Sequence, residues 1–190
     1  MIKDLLWGCV ICGAMESLRM VDRIEKCQTC GARYRRGEAA SIAVEVEGKG
    51  IETRSAAEWT AQLPPVTPTG TAECLLRAAV SDMKVSSYGQ YLGRVEKFGP
   101  LRFGQITLDQ SSLQFNAREG VGSFSWPIGE ITGVQPSSTA LQVKARMRPV
   151  VSIKFVTSSP RLWEERLQVA LRQYYKGQHI MEFQPRICLR

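Results

Sequence analysis

Cys9-Val10-Ile11-Cys12-Gly13 and Cys27-Gln28-Thr29-Cys30-Gly31 are the stretches that decide how the first third of this 190-residue chain folds. Fourteen residues separate Cys12 from Cys27, a spacing that sets two C-x-x-C turns on either side of one tetrahedral ion. A glycine follows the second cysteine of each pair, and a residue without Cβ lets the backbone turn its N–H groups toward the sulfurs. The reading is a structural site for one Zn²⁺ with Cys9, Cys12, Cys27 and Cys30 as ligands. Four thiolates fill the coordination sphere and leave no position for water or substrate, so the site is expected to hold a fold rather than to catalyse. The competing reading leaves the four cysteines free or pairs them as disulfides, and a disulfide framework is expected in a short secreted chain. A segment of ~50 residues has too little apolar surface for a core of its own, so its folding and zinc binding are expected to be one event.

Moving outward, Ser41 to Glu47 alternates Ile42, Val44 and Val46 with Ala43, Glu45 and Glu47, the period of a half-exposed strand. Ser55 to Gln62 has room for one or two helical turns around Trp59. Leu63-Pro64-Pro65-Val66-Thr67-Pro68-Thr69-Gly70 stops helix and ladder alike and is expected to act as a linker that uncouples two cores. Beyond it, short apolar-alternating runs are predicted as strands over 71–83, 101–108, 112–116, 123–127, 130–134, 140–147 and 150–156. Asp109-Gln110-Ser111-Ser112, Arg118-Glu119-Gly120 and Gln135-Pro136-Ser137-Ser138 supply the reversals between them. Ser159 as N-cap and Pro160 at the first position open a helix to about Lys176, with Gly177 as its C-terminal cap. Trp163, Leu167, Ala170, Leu171 and Tyr174 form one apolar stripe on it, with Trp163 expected to fill the mouth of the barrel. The fold class is therefore mainly β with a C-terminal helix. The units are a small four-cysteine zinc site with a short helical extension over 1–62, a linker over 63–70, a helix-capped barrel or sandwich over 71–178 and a tail over 179–190.

Two resemblances attach to these residues. The cysteine pattern, with Cys30, Gly31 and Tyr34 reading Cys-Gly-x-x-Tyr, resembles zinc ribbons over roughly residues 7–50. Gly104-Gln105-Ile106-Thr107-Leu108-Asp109-Gln110-Ser111-Ser112-Leu113-Gln114-Phe115 is similar to a hairpin of pleckstrin-homology (PH) domains and their GRAM relatives. Trp126-Pro127-Ile128 leading to Ile131-Thr132-Gly133-Val134, and Phe155 leading into the Trp163 helix, extend that likeness over roughly 72–176. It implies a PH-like barrel that docks proteins or associates with membranes. The tail, Ile180 to Arg190, is similar to one that follows the barrel in bacterial proteins continuing into glycerolipid acyltransferases, which implies a stand-alone regulatory half as an alternative. The His-x-x-x-x-Asp signature of those enzymes is missing, since Gln184 stands five residues after His179.

Charge narrows the function further. Residues 1–60 carry nine Lys/Arg against nine Asp/Glu, so the net +7 of the chain lies entirely in the remainder. Four thiolates around one Zn²⁺ leave the first unit near about −2, which argues against a ribbon that reads nucleic-acid phosphates. Lys144, Arg146, Arg148 and Lys154 are candidate lipid- or anion-binding residues on one strand face and its return strand. Arg77, Lys84, Arg94 and Lys97 are a second, irregularly spaced group. A single histidine, no phosphate-loop context at 48–50 or 120–122 and no paired-carboxylate motif leave catalysis without a centre. The expectation is a non-catalytic binding or adaptor module. A protein partner comes first, an anionic membrane surface second and nucleic acid third. Without a signal-peptide core at Met1 to Trp7, and with thiols arranged for metal, a cytoplasmic location is expected, peripheral to the membrane where the barrel meets lipid.

Overall fold

The computed structural model describes residues 1–38, 41–87, 90–137 and 139–176, which form two antiparallel sheets and one long helix. The first sheet is a meander of β1 (Leu18–Val21), β2 (Ile24–Cys27), β3 (Arg33–Arg36), β4 (Ser41–Val46) and β5 (Gly50–Ser55), paired in chain order. Asp22 and Arg23 both take positive φ between the paired residues Val21 and Ile24, the two-residue turn whose twist suits a hairpin. On β4 the expected alternation sends Ile42 and Val44 into the core. Trp59 on the short helix α1 (Ala56–Thr60) closes that core, its indole N–H donating to the Ile42 carbonyl at 2.9 Å. Ser55 and Glu58 cap α1 reciprocally, each accepting from the other's backbone N–H. At the other end of the sheet the buried Glu25 carboxylate accepts from the amides of Ile2 and Lys3 and pins the N-terminal turn.

The second sheet is built around β6 (Gly70–Ser87). Residues 70–76 of β6 pair with β8 (Arg102–Leu108), 74–78 with β13 (Val151–Phe155), and 79–87 with β7 (Gln90–Phe98). β9 (Ser112–Ala117) and β10 (Phe124–Pro127) extend one flank, β12 (Leu141–Ala145) and β11 (Ile131–Pro136) the other. The helix α2 (Pro160–Tyr174) packs on β11 and β12. The result is a nearly closed, helix-capped β unit. Ser159 caps α2 as expected, accepting from the Arg161 amide at 3.2 Å. Trp163 lies in the interior, stacked on Phe155 with ring centroids 5.1 Å apart and its N–H on Ser158 Oγ.

Two expectations about α2 need correction. The stripe of Trp163, Leu167, Ala170 and Leu171 faces the second core, but Tyr174 is exposed; it is Tyr175 that fastens the helix end, donating to the Gly129 carbonyl at 3.0 Å. The two cores are also not uncoupled. Leu162, beside Trp163 in sequence, is fully buried among Ile2, Leu6, Trp7 and Trp59 of the first unit. A helix turns about 100° per residue, so consecutive positions face different directions, and here each direction meets a core. Leu63 and Val66 of the linker pack on the first core too. The expected cap at Gly177, His179, Cys188 and the tail lie outside the described residues.

Candidate functional site

The four cysteines converge from two loops that the sheet holds in place. Cys27 ends β2 and its loop leads into β3, while Cys9 follows Gly8, which bridges to Met15. The loops close alike: Gly13 N–H donates to the Cys9 carbonyl at 2.8 Å and Gly31 N–H to the Cys27 carbonyl at 3.0 Å. Gly13 and Gly31 take φ of +72° and +77°, a backbone that side chains rarely adopt, which is why glycine stands there. All four ligand atoms lie within 4.8 Å of one another, with Cys9 Sγ 3.5 Å from Cys30 Sγ and Cys12 Sγ 3.7 Å from Cys27 Sγ. Sulfurs bound tetrahedrally at about 2.3 Å from an ion such as zinc sit about 3.8 Å apart, so the cluster has the dimensions to hold a metal ion.

Electrostatics at the cluster point the same way. Burial works to raise the Cys27 thiol pKa, but hydrogen bonding to Ser17 and to the amides of Cys30 and Thr29 outweighs it and brings the group down to about 6. Burial and then the neighbouring sulfurs push Cys30 up to about 12, and burial raises Cys12 as well. Thiolates this close repel one another, and a cation between them removes the conflict. Cys9 and Cys27 are buried whereas Cys12 and Cys30 are exposed, so one side of the cluster faces the interior and the other faces water. Tyr34, buried in the first core, places its hydroxyl 3.0 Å from Cys9 Sγ and accepts from the Val10 amide. The other two cysteines are separate from this centre: Cys74 is buried in the second core with its thiol pushed up to about 12 by burial, and Cys188 is outside the described residues.

No family model and no curated protein matches the chain. Among solved structures, the chain is similar to the C-terminal domain of an unknown protein from Leishmania infantum, at 16% identity, 55% coverage of this chain, 83% of that one and a TM-score of 0.33. It is also similar to the N-terminal PH domain of human ARAP2 protein, at 12% identity, 64% and 95% coverage and a TM-score of 0.38.

The second candidate group sits differently from its reading in the sequence. β12 ends at Ala145, so Arg146 and Arg148 do not share a strand face with Lys144. They flank a turn in which Met147 takes φ of +55°, the Arg148 amide bonds the Ala145 carbonyl, and Lys144 Nζ donates to the Arg148 carbonyl. Lys154 pairs with Leu75 near the opposite end of β13 and is separated from the other three. Register instead brings other loops to Lys144, Arg146 and Arg148. Val143 pairs with Val151, Val151 with Ala78, and Leu76 with Arg102, while Ala117 pairs with Gly104. The turns at 99–101, 118–123 and 146–149 therefore leave one end of the sheet together.

That end is basic and carries projecting apolar side chains. Arg77, Lys97, Arg118, Lys144, Arg146 and Arg148 are exposed there. Met147 is 95% exposed and Val121 75% exposed, each at a hairpin tip, and Val80 and Leu101 are exposed nearby. The Arg102 guanidinium, from the start of β8, lies against Gly122 of the 118–123 turn. Of the second group named from sequence, Lys84 and Arg94 are placed opposite one another by the β6–β7 register. The apolar tips were missed in the sequence because single exposed residues between glycines or arginines carry no periodicity; only the register assembles them.

Proposed function

We propose that the chain is a non-catalytic binding module, stapled by one structural zinc ion, that docks its second unit on an anionic membrane surface. The observation that carries this is the loop end of the second sheet, where Met147 and Val121 project from separate hairpins among exposed cations. Apolar tips can enter the headgroup region of a bilayer while cations around them meet anionic headgroups, each contributing roughly 1 kcal/mol near the surface. A protein interface is usually organised around one contiguous apolar core with a polar rim, which single tips on separate hairpins do not form. Nucleic acid would draw on the cations and leave the apolar tips unused. The strand path of the second unit, two antiparallel runs β8–β9–β10 and β11–β12–β13 joined on β6 and capped by a C-terminal helix, supports the PH- or GRAM-like reading of the sequence. The all-cysteine donor set supports zinc, since soft thiolates in a closed tetrahedral site select it over hard cations. Four cysteine sulfurs at one point would fill a tetrahedral ion's coordination sphere, and that supports an architectural role.

Co-sedimentation with phosphatidylcholine vesicles, with and without phosphatidylserine, tests the reading. The zinc-loaded protein is expected to pellet with the anionic vesicles only, and Met147→Glu or the pair Arg146→Glu and Arg148→Glu to release it by more than about tenfold. Folded protein that ignores anionic vesicles but is captured by oligonucleotides in a salt-dependent manner would move the function to nucleic acid. Protein that ignores both leaves protein docking as the mode and overturns the proposal.

A further inference from the structure

The two knuckles of the thiol centre are alike in backbone but differ in how their first sulfur is supported. In the second knuckle the Thr29 amide, two residues after Cys27, donates to Cys27 Sγ at 3.3 Å. In the first, the structure gives the equivalent Ile11 amide no such bond, and the donor at Cys9 Sγ is the Tyr34 hydroxyl at 3.0 Å. That hydroxyl is oriented from behind, because it accepts from the Val10 amide at 3.1 Å. A phenol that already accepts an N–H has its own proton left for the sulfur. The β3–β4 pairing fixes the ring, with Tyr34 opposite Val44 and 1% exposed.

We infer that Tyr34 is a positioning residue of the metal centre, whose hydroxyl donates to the Cys9 thiolate and takes the part that a backbone amide plays at Cys27. A hydrogen bond to a thiolate withdraws charge from the sulfur, stabilises it against protonation and fixes its direction toward the ion. Without that bond Cys9, buried and ringed by apolar side chains, has beside its sulfur, among the described residues, only that of Cys30 at 3.5 Å, itself a metal ligand on the zinc reading. The inference rests on the reading of the four cysteines as a zinc site.

The test uses the full chain loaded with Zn²⁺ or Co²⁺. Tyr34→Phe keeps the ring and removes the hydroxyl, and zinc affinity measured against a chromogenic chelator is expected to fall by about 10- to 100-fold. In the Co²⁺ form the sulfur-to-metal charge-transfer band is expected to move to lower energy, because a thiolate that loses a donor is more electron-rich. A role confined to packing would lower stability and leave that band in place. 3-Fluorotyrosine at position 34 keeps both bonds and donates more strongly, so it should move the band the opposite way and covers the case in which Tyr34→Phe folds poorly. Wild-type protein that takes up no metal ends the zinc reading itself. Wild-type protein that binds, with variants of equal affinity and unmoved bands, overturns the role of Tyr34 alone.

Discussion

The two units of the chain solve one problem, the burial of a sheet face, by different means. The second nearly closes on itself: β6 carries neighbours on both edges, and the aromatic residues Phe115, Trp126, Phe155 and Trp163 fill an interior that α2 caps. The first has a five-stranded sheet with mostly exposed residues on β5, and it borrows its cover from the N-terminal turn, α1, the linker and Leu162 of the other unit. A small core depends on staples in proportion to the apolar surface it lacks. On the zinc reading proposed above the cysteine cluster is the staple, and Leu162 makes the helix that caps the second unit a structural part of the first.

Metal removal should therefore produce the largest effect and a graded one. Apparent zinc-binding free energies of about 10–16 kcal/mol in small structural sites exceed the stability such a unit has alone. Chelation, or Cys27→Ser, is expected to erase amide-exchange protection across β1 to β4, to loosen the first turn of α2 around Leu162, and to spare β8, β9 and β13. Retained protection in β1 to β4 after chelation would mean that the apolar core suffices and that the two units do not differ in their need for a staple. Full loss in both units would mean that they form one cooperative body.

Two neighbouring residues on α2 sharpen the same contrast. Trp163→Ala is expected to cost about 3–5 kcal/mol, because the plug stacked on Phe155 leaves a cavity beneath the helix. Leu162→Ala is expected to cost about 2–5 kcal/mol, nearer the lower end, since the borrowed cover of the first core can collapse around it. Denaturant unfolding followed by exchange should assign the first loss to the second unit and the second to residues 1–66. Equal losses in both units from either variant would show that α2 transmits each perturbation whole.

Much of this was legible in the sequence, for reasons that differ by element. The cysteine pairs, the alternation on β4, the strands from Arg102 to Phe155 and the capped start of α2 each have one local cause that spacing reveals. β7 and the full length of β6 were missed because the ladder shifts register between Ala79 and Ser81 and again between Val85 and Ser86, which breaks the period of two. β5 has no apolar alternation because it is an exposed edge. Leu162 was missed because a helix serving two cores shows a wide apolar arc rather than one stripe. Tyr34 was noticed as part of a cysteine motif, but its contact with Cys9 depends on β3 bringing it beneath the first knuckle, a long-range fact that spacing does not contain. The basic residues were found as types and misplaced as a group, since a strand ending at Ala145 rather than Met147 turns an alternating face into a loop.

The smallest expected effect belongs to the turn of the β8–β9 hairpin and tests whether the second unit is closed by local as well as core forces. The Asp109 carboxylate accepts from the amides and hydroxyls of Ser111 and Ser112 and from Gln114 Nε2. These bonds, Ser111 first, hold its pKa below the ordinary value of 3.8. Because the folded value is the lower one, the carboxylate adds its stability above the unfolded pKa and loses it as pH falls through the folded pKa. The group is half-buried at the surface, where solvent still screens it, so its contribution at neutral pH is discounted to about 0.5 kcal/mol. Asp109→Asn keeps the shape and removes the charge. Its stability curve should run below wild type at neutral pH and meet it in acid, below the ordinary carboxylate range. A gap of constant size from neutral pH to acid would show that the amide fails for reasons of geometry. No gap at neutral pH would show that the turn is held by the strands on either side of it, as the core of the second unit alone can do.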